Sequence, residues 1–280
     1  MGARGDDWVS ALALPAHREI LRRFVAGAEA EPRFRFIELS CSVARGAGDK
    51  LSDLDLALGI ADDAWPDALG AVAPLLARLG DVVELLDHKL AEWGDIPHRR
   101  FFVQYRDLVQ VDLVALPAGR RPGMPAGSVA LYDPDGRLAT TVTSSLMEAS
   151  AADVREWAFL AWIALADLDK YLRRGSAWEA LERLHTARTH VWRLWAVTHG
   201  VGYPAFGLTS VLDQPEAGCP DRIDETAASL HPADLRRAAT VLASVLADVS
   251  SAAARRSGAQ LPDAMSTFVR ARLAEAGPRL

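Results

Sequence analysis

The sequence predicts an α+β chain: a small α/β domain with a mixed sheet, followed by a C-terminal α-helical bundle. Three observations predict it. Up to residue 116, apolar residues alternate with polar ones in short runs rich in β-formers, such as FRFIEL (34–39) and LDLALGI (54–60), which is the period of a half-buried strand. From Ser150 onward the period becomes helical, and no strand-like run of any length follows. Between the two lies LPAGRRPGMP (116–125), a proline- and glycine-rich link. The expected domains are therefore residues 1–125, and 126–280 for the link and bundle.

Taken in order, residues 1–13 read as a loose start. Pro15 to Ala30 reads as a helix, with Ile20, Leu21, Phe24 and Val25 as its apolar stripe and Pro15 suited to the first turn. Phe34–Leu39 is a strand. Ser42-Val43-Ala44-Arg45 reads as the first turn of a short helix capped by Ser40 or Ser42. Gly46 and Gly48 allow a tight turn back to a second strand, where Leu54, Leu56 and Leu58 alternate with Asp53, Asp55 and Ala57. Pro66 opens a helix through Leu79, which Gly80 ends. Asp81–Leu86 reads as a strand, 88–97 as a polar connection containing Trp93, and 101–105 and 108–115 as a hairpin about Arg106-Asp107. The Asp-Pro-Asp-Gly run at 133–136 is a turn signal. In the second half, Ser150-x-x-Asp153 and Ser176-x-x-Glu179 are of the capping-box type. They open helices over 151–174 and 177–199; Gly207–Leu212 is a short turn or helix, and further helices run over 232–257 and 262–276.

Composition narrows the function classes. The chain has 280 residues, half of them apolar and a quarter charged, with a formal net charge of −6. That balance argues against a surface that coats DNA or RNA and is compatible with a small cationic substrate. Two cysteines, Cys41 and Cys219, make neither a disulfide framework nor a zinc spacing. The polar start MGARGDDWVS is not a signal peptide, and Gly2 is not a myristoylation site because position 6 is Asp. No apolar run reads as a membrane span, so a cytoplasmic protein is expected.

The stretch from Leu39 to Ile60 carries the chemistry. Its alternation puts Asp53 and Asp55 on one strand face, roughly 7 Å apart at Cα. Carboxylates so spaced can share a metal ion or bracket two ions about 4 Å apart, and carboxylate oxygens are the usual protein ligands of Mg²⁺. Unpaired N–H groups at the helix start by Ser42 suit a triphosphate, and Arg45 and Lys50 are available to neutralise phosphates. Each has a plainer reading, as a helix cap or a solvated loop charge. Val109-Gln110-Val111-Asp112-Leu113-Val114 sets Asp112 among apolar residues, as on a central strand.

Ser42-x10-Asp53-x-Asp55, with the later Asp112, resembles the signature of the nucleotidyltransferase superfamily that includes DNA polymerase β. SVARG…SDLDL is especially similar to the aminoglycoside and minimal nucleotidyltransferases. The resemblance covers the first 116 residues. It implies two Mg²⁺ ions at Asp53, Asp55 and Asp112, a nucleoside triphosphate (ATP expected) as co-substrate, and Ser42 beneath the leaving pyrophosphate. There is one departure: the family has Gly-Ser at the helix start, and this chain has Cys41-Ser42. In similar antibiotic nucleotidyltransferases a carboxylate, often from a helix of the C-terminal bundle, takes the proton from the attacking hydroxyl. Asp167 is the nominee here, with Glu148, Glu156 and Asp112 itself as rivals, and Lys170 is a candidate for the β- or γ-phosphate.

Three readings follow. In the first, an enzyme moves a nucleoside monophosphate, AMP expected, onto a hydroxyl of a small molecule such as an aminoglycoside-like antibiotic. In the second, the same chemistry modifies a protein target, as in a minimal nucleotidyltransferase antitoxin. In the third, the chain is a degraded nucleotide-binding module marked by Cys41. His185, His190 and His199 lack zinc-helix spacing. Arg193 and His199 fall within the loose spacing of the HEPN ribonucleases, a pattern frequent by chance. Five tryptophans between Trp157 and Trp195 read as core.

Overall fold

The computed structural model describes residues 3–88, 97–143 and 145–275. The connection around Trp93, Gly2 and the end of the last expected helix at residue 276 lie outside them. The chain divides into two compact units, Met1–Thr143 and Ser144–Leu280.

The first unit opens with α1 (Ala3–Ala11), where a loose start was expected. This helix packs on a strand that the sequence reading also missed. A Cβ at the buried Gly5 would lie 2.0 Å from the carbonyl oxygen of Leu131, so only glycine permits the approach. Next come α2 (Pro15–Glu29), β1 (Phe34–Leu39), the single turn α3 (Cys41–Ala44) and β2 (Leu54–Ile60). In α2, Pro15 stands at the start and Ile20, Leu21, Phe24, Val25 and Ala28 are buried, as the helical spacing predicts. Truncating the fully buried Phe24 to alanine should cost about 3–5 kcal/mol. The helix expected from Pro66 to Leu79 is shorter. A 3₁₀ segment covers Asp67–Ala71 and only α4 (Val72–Ala77) is α-helical. Pro74 supplies the reason: it has no N–H to donate and its ring clashes with the turn before it, so it is tolerated in the first turn of α4 but the α-helix cannot extend back to Pro66.

The unit then builds β3 (Val82–His88), β4 (Arg99–Tyr105), β5 (Gln110–Pro117) and β6 (Val129–Tyr132). The six strands lie in the order β3-β4-β5-β2-β1-β6. β2 and β5 are parallel and all other pairs antiparallel, so the sheet is mixed. β6 hydrogen-bonds to β1, which carries the first unit past residue 125. The link itself is tied down: Arg121 makes a bidentate ion pair with the buried Glu38 of β1, at 2.7–2.9 Å.

Alternation decides the two faces. Leu54, Leu56, Leu58, Val111, Leu113, Phe101, Val103 and Tyr105 face the core shared with α2 and α4. The opposite face is covered at one end by a small cluster of Phe36, Leu116, Ala118 and Leu138. Where β2 and β5 begin, that face bears polar residues instead, and the carboxylates stand there.

The second unit is helical, as expected: α5 (Ala151–Arg173), α6 (Ala177–His199), α7 (Leu208–Leu212), α8 (Pro232–Ser257) and α9 (Asp263–Ala274). Ser150 and Asp153 form the predicted capping box. Ser176 does not cap α6; its hydroxyl bonds to the Glu179 carboxylate instead. Gly200 closes α6 in the left-handed conformation. α8 is long and apolar enough, by length and composition, to cross a membrane, which the sequence reading did not expect. Its Leu235, Leu242, Leu246 and Val249 belong to the bundle core, where an alanine-rich helix packed against α5, α6 and α9 reads as apolar.

Candidate active site

Register brings the carboxylates together. Asp55 and Asp112 are direct neighbours across the parallel β2–β5 pair. Asp53 lies two residues before Asp55, at the entry to β2. The turn before it is pinned by the buried His17 of α2, whose Nε2 donates to the Ser52 carbonyl at 2.7 Å. Across four strands the same row reads Leu86, Phe102, Asp112, Asp55. Beside it is a cavity of about 350 Å³ lined by Asp53, Asp112, Glu84, Gln104, Phe102 and Leu86 among others.

α3 approaches from the β1 end. The Ser40 N–H donates to the Asp55 carbonyl at 2.9 Å, which fixes the turn holding Ser42 beside β2. Cys41 has φ +59°, a left-handed conformation that costs a side chain roughly 1–2 kcal/mol. A glycine would adopt this conformation without that cost. The Cys41 thiol is used: it hydrogen-bonds to the Asp55 carboxylate. α3 has only four residues, so the helix start expected to cradle a triphosphate is one turn and no more.

The electrostatics centre on Asp55. Burial and the neighbouring Asp53 push its carboxyl up to about 6, and Asp112 adds to the rise, while the Cys41 thiol and Arg100 oppose it. Arg100 of β4 was not foreseen. Its Nε donates to Asp112 Oδ1 at 2.7 Å and its Nη2 pairs with Oδ2. Its guanidinium lies 4.4 Å from the Phe102 ring centroid. The same alternation that placed Asp112 could have found it, because Arg100, Phe102 and Gln104 share one face of a hairpin strand.

Arg45 is exposed, and its side-chain stem passes 3.4 Å from where a Gly127 Cβ would lie. Lys50 is exposed in the turn before β2. Thus Ser42, Asp53, Asp55 and Asp112 gather in the first unit with Arg45 close in sequence and Lys50 on the loop. Asp167 and Lys170 belong to the second unit and pair with each other at 2.5 Å. Asp169, beside Asp167 in sequence, is fully buried and held by Arg173, Arg236 and Arg272. Burial works against its ionisation, yet the three guanidiniums keep it below the usual carboxylate range.

A divalent ion fits the site in part. The donors are hard oxygens, which suits Mg²⁺. The crowding of negative charge that raises Asp55 is the demand a cation would satisfy. Among the described residues, however, no three His, Cys, Asp or Glu side chains converge on one point, and both oxygens of Asp112 are taken by Arg100. Asp53 and Asp55 are the pair open to an ion.

The histidines do not form a centre. His185 contacts Arg188, and His199 stacks on Trp195 with ring centroids 4.0 Å apart. His190 is buried and pushed down to about 4, first by burial and then by Arg193. Arg193 itself donates to the Ala205 carbonyl and lies over Trp157, which are packing roles.

No family model matches the chain, and no curated protein sequence matches it. Among solved structures it is similar to an aminoglycoside 6-adenyltransferase from Bacillus subtilis, with TM-score 0.41 and 15% identity over 92% of this chain and 97% of that one. It is also similar to a nucleotidyltransferase-like protein from Exiguobacterium sibiricum, with TM-score 0.36 and 11% identity over 90% of this chain and 86% of that one.

Proposed function

We propose that the chain is a Mg²⁺-dependent nucleotidyltransferase that moves a nucleoside monophosphate, AMP expected, from a triphosphate to a hydroxyl of a small, polar, cationic acceptor of the aminoglycoside kind. One observation carries the reading: Asp55 and Asp112 are in register on adjacent parallel strands, with Asp53 at the entry of the same strand and the Ser42 turn tied to Asp55. Transfer of this kind needs positioning and charge neutralisation more than covalent help, and the residues supply both. Asp53 and Asp55 hold the ion. When bound, the ion offsets the triphosphate charge and polarises the reacting phosphoryl group. Ser42 hydrogen-bonds the phosphate oxygens and Arg45 adds positive charge.

The neighbouring cavity suits an acceptor. Asp53 and Glu84 favour a cation, Gln104 offers an amide, and Phe102 and Leu86 give an apolar floor. Of the carboxylates at 167 and 169, Asp167 pairs, among the described residues, with Lys170 alone, whereas Asp169 is held by three arginines. Calorimetric titration of ATP and GTP, each with Mg²⁺, into the wild type and the Asp53→Asn/Asp55→Asn double variant tests the reading. Heat that requires Mg²⁺ and disappears in the variant is expected. A wild type that binds no triphosphate would sink it.

A further inference from the structure

We propose that Arg100 is the resident cation of the site: it takes the place of a metal ion at Asp112, so that the carboxylate face holds one divalent ion, at Asp53 and Asp55, and not two. The inference rests on the reading of Asp53 and Asp55 as the ion's carriers and goes beyond it in assigning a role to a residue of β4.

The geometry is specific. Arg100 lies opposite Val114 and Phe102 lies opposite Asp112, so Arg100 reaches diagonally along one face to Asp112. Its Nε and Nη2 engage the two oxygens of Asp112 separately, a fork-on-fork pair. The Phe102 ring, 4.4 Å from the guanidinium carbon, backs the charged plane. The pair is partly shielded from water, with the Asp112 side chain 16% exposed and that of Arg100 33%, so solvent screens it incompletely. Asp112 is in register with Asp55, so the charge that Arg100 brings to Asp112 also stands next to Asp55.

An ion at Asp112 would therefore have to expel a bidentate guanidinium, or bind the outer lone pairs with a positive charge alongside. Among the described residues, no arginine or lysine forms an ion pair with Asp53 or Asp55. An arginine cannot be deprotonated in the working range, so its charge is permanent, whereas the charge of a bound ion depends on concentration. The consequence is that one positive charge beside Asp55 is always in place.

Counting bound Mn²⁺ on the full chain tests this without any activity. Free Mn²⁺ is followed by its paramagnetic resonance signal during titration at pH 8, for the wild type, Arg100→Gln, Arg100→Lys and Asp53→Asn/Asp55→Asn. Circular dichroism checks that each variant is folded. One ion is expected on the wild type, two on Arg100→Gln, one on Arg100→Lys, whose ammonium keeps the charge, and none on the double variant. Two ions on the wild type, or one on Arg100→Gln, would overturn the role of Arg100 while leaving Asp53 and Asp55 as carriers. No ion on the wild type or on Arg100→Gln would remove the carriers, and this inference with them.

Discussion

Replacing Asp55 by asparagine should stabilise the protein in the absence of metal, and the gain should depend on pH. Asp55 is crowded by burial and by Asp53 and Asp112, which lift its carboxyl from 3.8 to about 6. In the folded state the group therefore holds its proton more tightly than in the unfolded chain. Below about pH 4 it is neutral in both states and contributes nothing. Between there and pH 6 the folded state binds the extra proton, so stability falls as pH rises. At pH 8 the charge is present in both states and costs the folded one about 3 kcal/mol. Asparagine has nearly the same shape, still accepts from the Cys41 thiol, and carries no charge. The expected gain is about 2–3 kcal/mol at pH 8 and near zero at pH 4. For a unit of this size that is a rise in Tm of roughly 4–10 °C at pH 8. Thermal melts in EDTA at the two pH values measure it. Adding Mg²⁺ should then raise the wild-type Tm and leave the variant unmoved. A variant less stable than wild type at pH 8, or a gain of equal size at both pH values, would refute the crowding argument.

Other perturbations test other parts of the structure. Asp53→Ala should lower Mg²⁺-dependent release of pyrophosphate roughly a hundred-fold or more, with the circular dichroism spectrum unchanged; undiminished release would remove Asp53 from the ion's site. Cys41→Gly should relieve the left-handed strain at φ +59° and gain up to about 1 kcal/mol in urea denaturation, after the unfolded chain's added freedom is deducted. A loss of more than that would mean that the thiol bond to Asp55 outweighs the strain. Asp169→Asn leaves three arginines facing one neutral amide. It should destabilise the helical unit by about 3–5 kcal/mol, and denaturation monitored by tryptophan fluorescence reads it, because five of the eight tryptophans lie between Trp157 and Trp195.

Reading the residues reached different depths in different places. Elements whose signal is local came through: the alternating strands at 34–39 and 54–60, the capping box at Ser150 and the stop at Gly200. α1 and β6 did not, because neither has a stripe or alternation of its own; each forms against a partner far along the chain, with Gly5 on Leu131 and β6 on β1. The helix after Pro66 was drawn too long because apolar spacing does not show that Pro74 bars an α-helix from the turn before it. In the first unit, Asp55 and Asp112 lie in register on β2 and β5 and Asp53 lies one residue before β2, whereas Arg100 fell outside the strand expected over 101–105.

By itself, then, the sequence determined the succession of a mixed α/β unit and a helical bundle, and the face of each strand on which a carboxylate stands. Periods of two and 3.6 residues are properties of the local backbone. Only the tertiary structure decided which charges meet. It set Asp112 beside Asp55 and gave it to Arg100, Glu38 to Arg121, and Asp169 to three arginines. Those pairings depend on strand register and helix packing between segments distant in the chain. Such contacts leave no period in the sequence, and in a buried site they fix where charge is neutralised and where a cation can still bind.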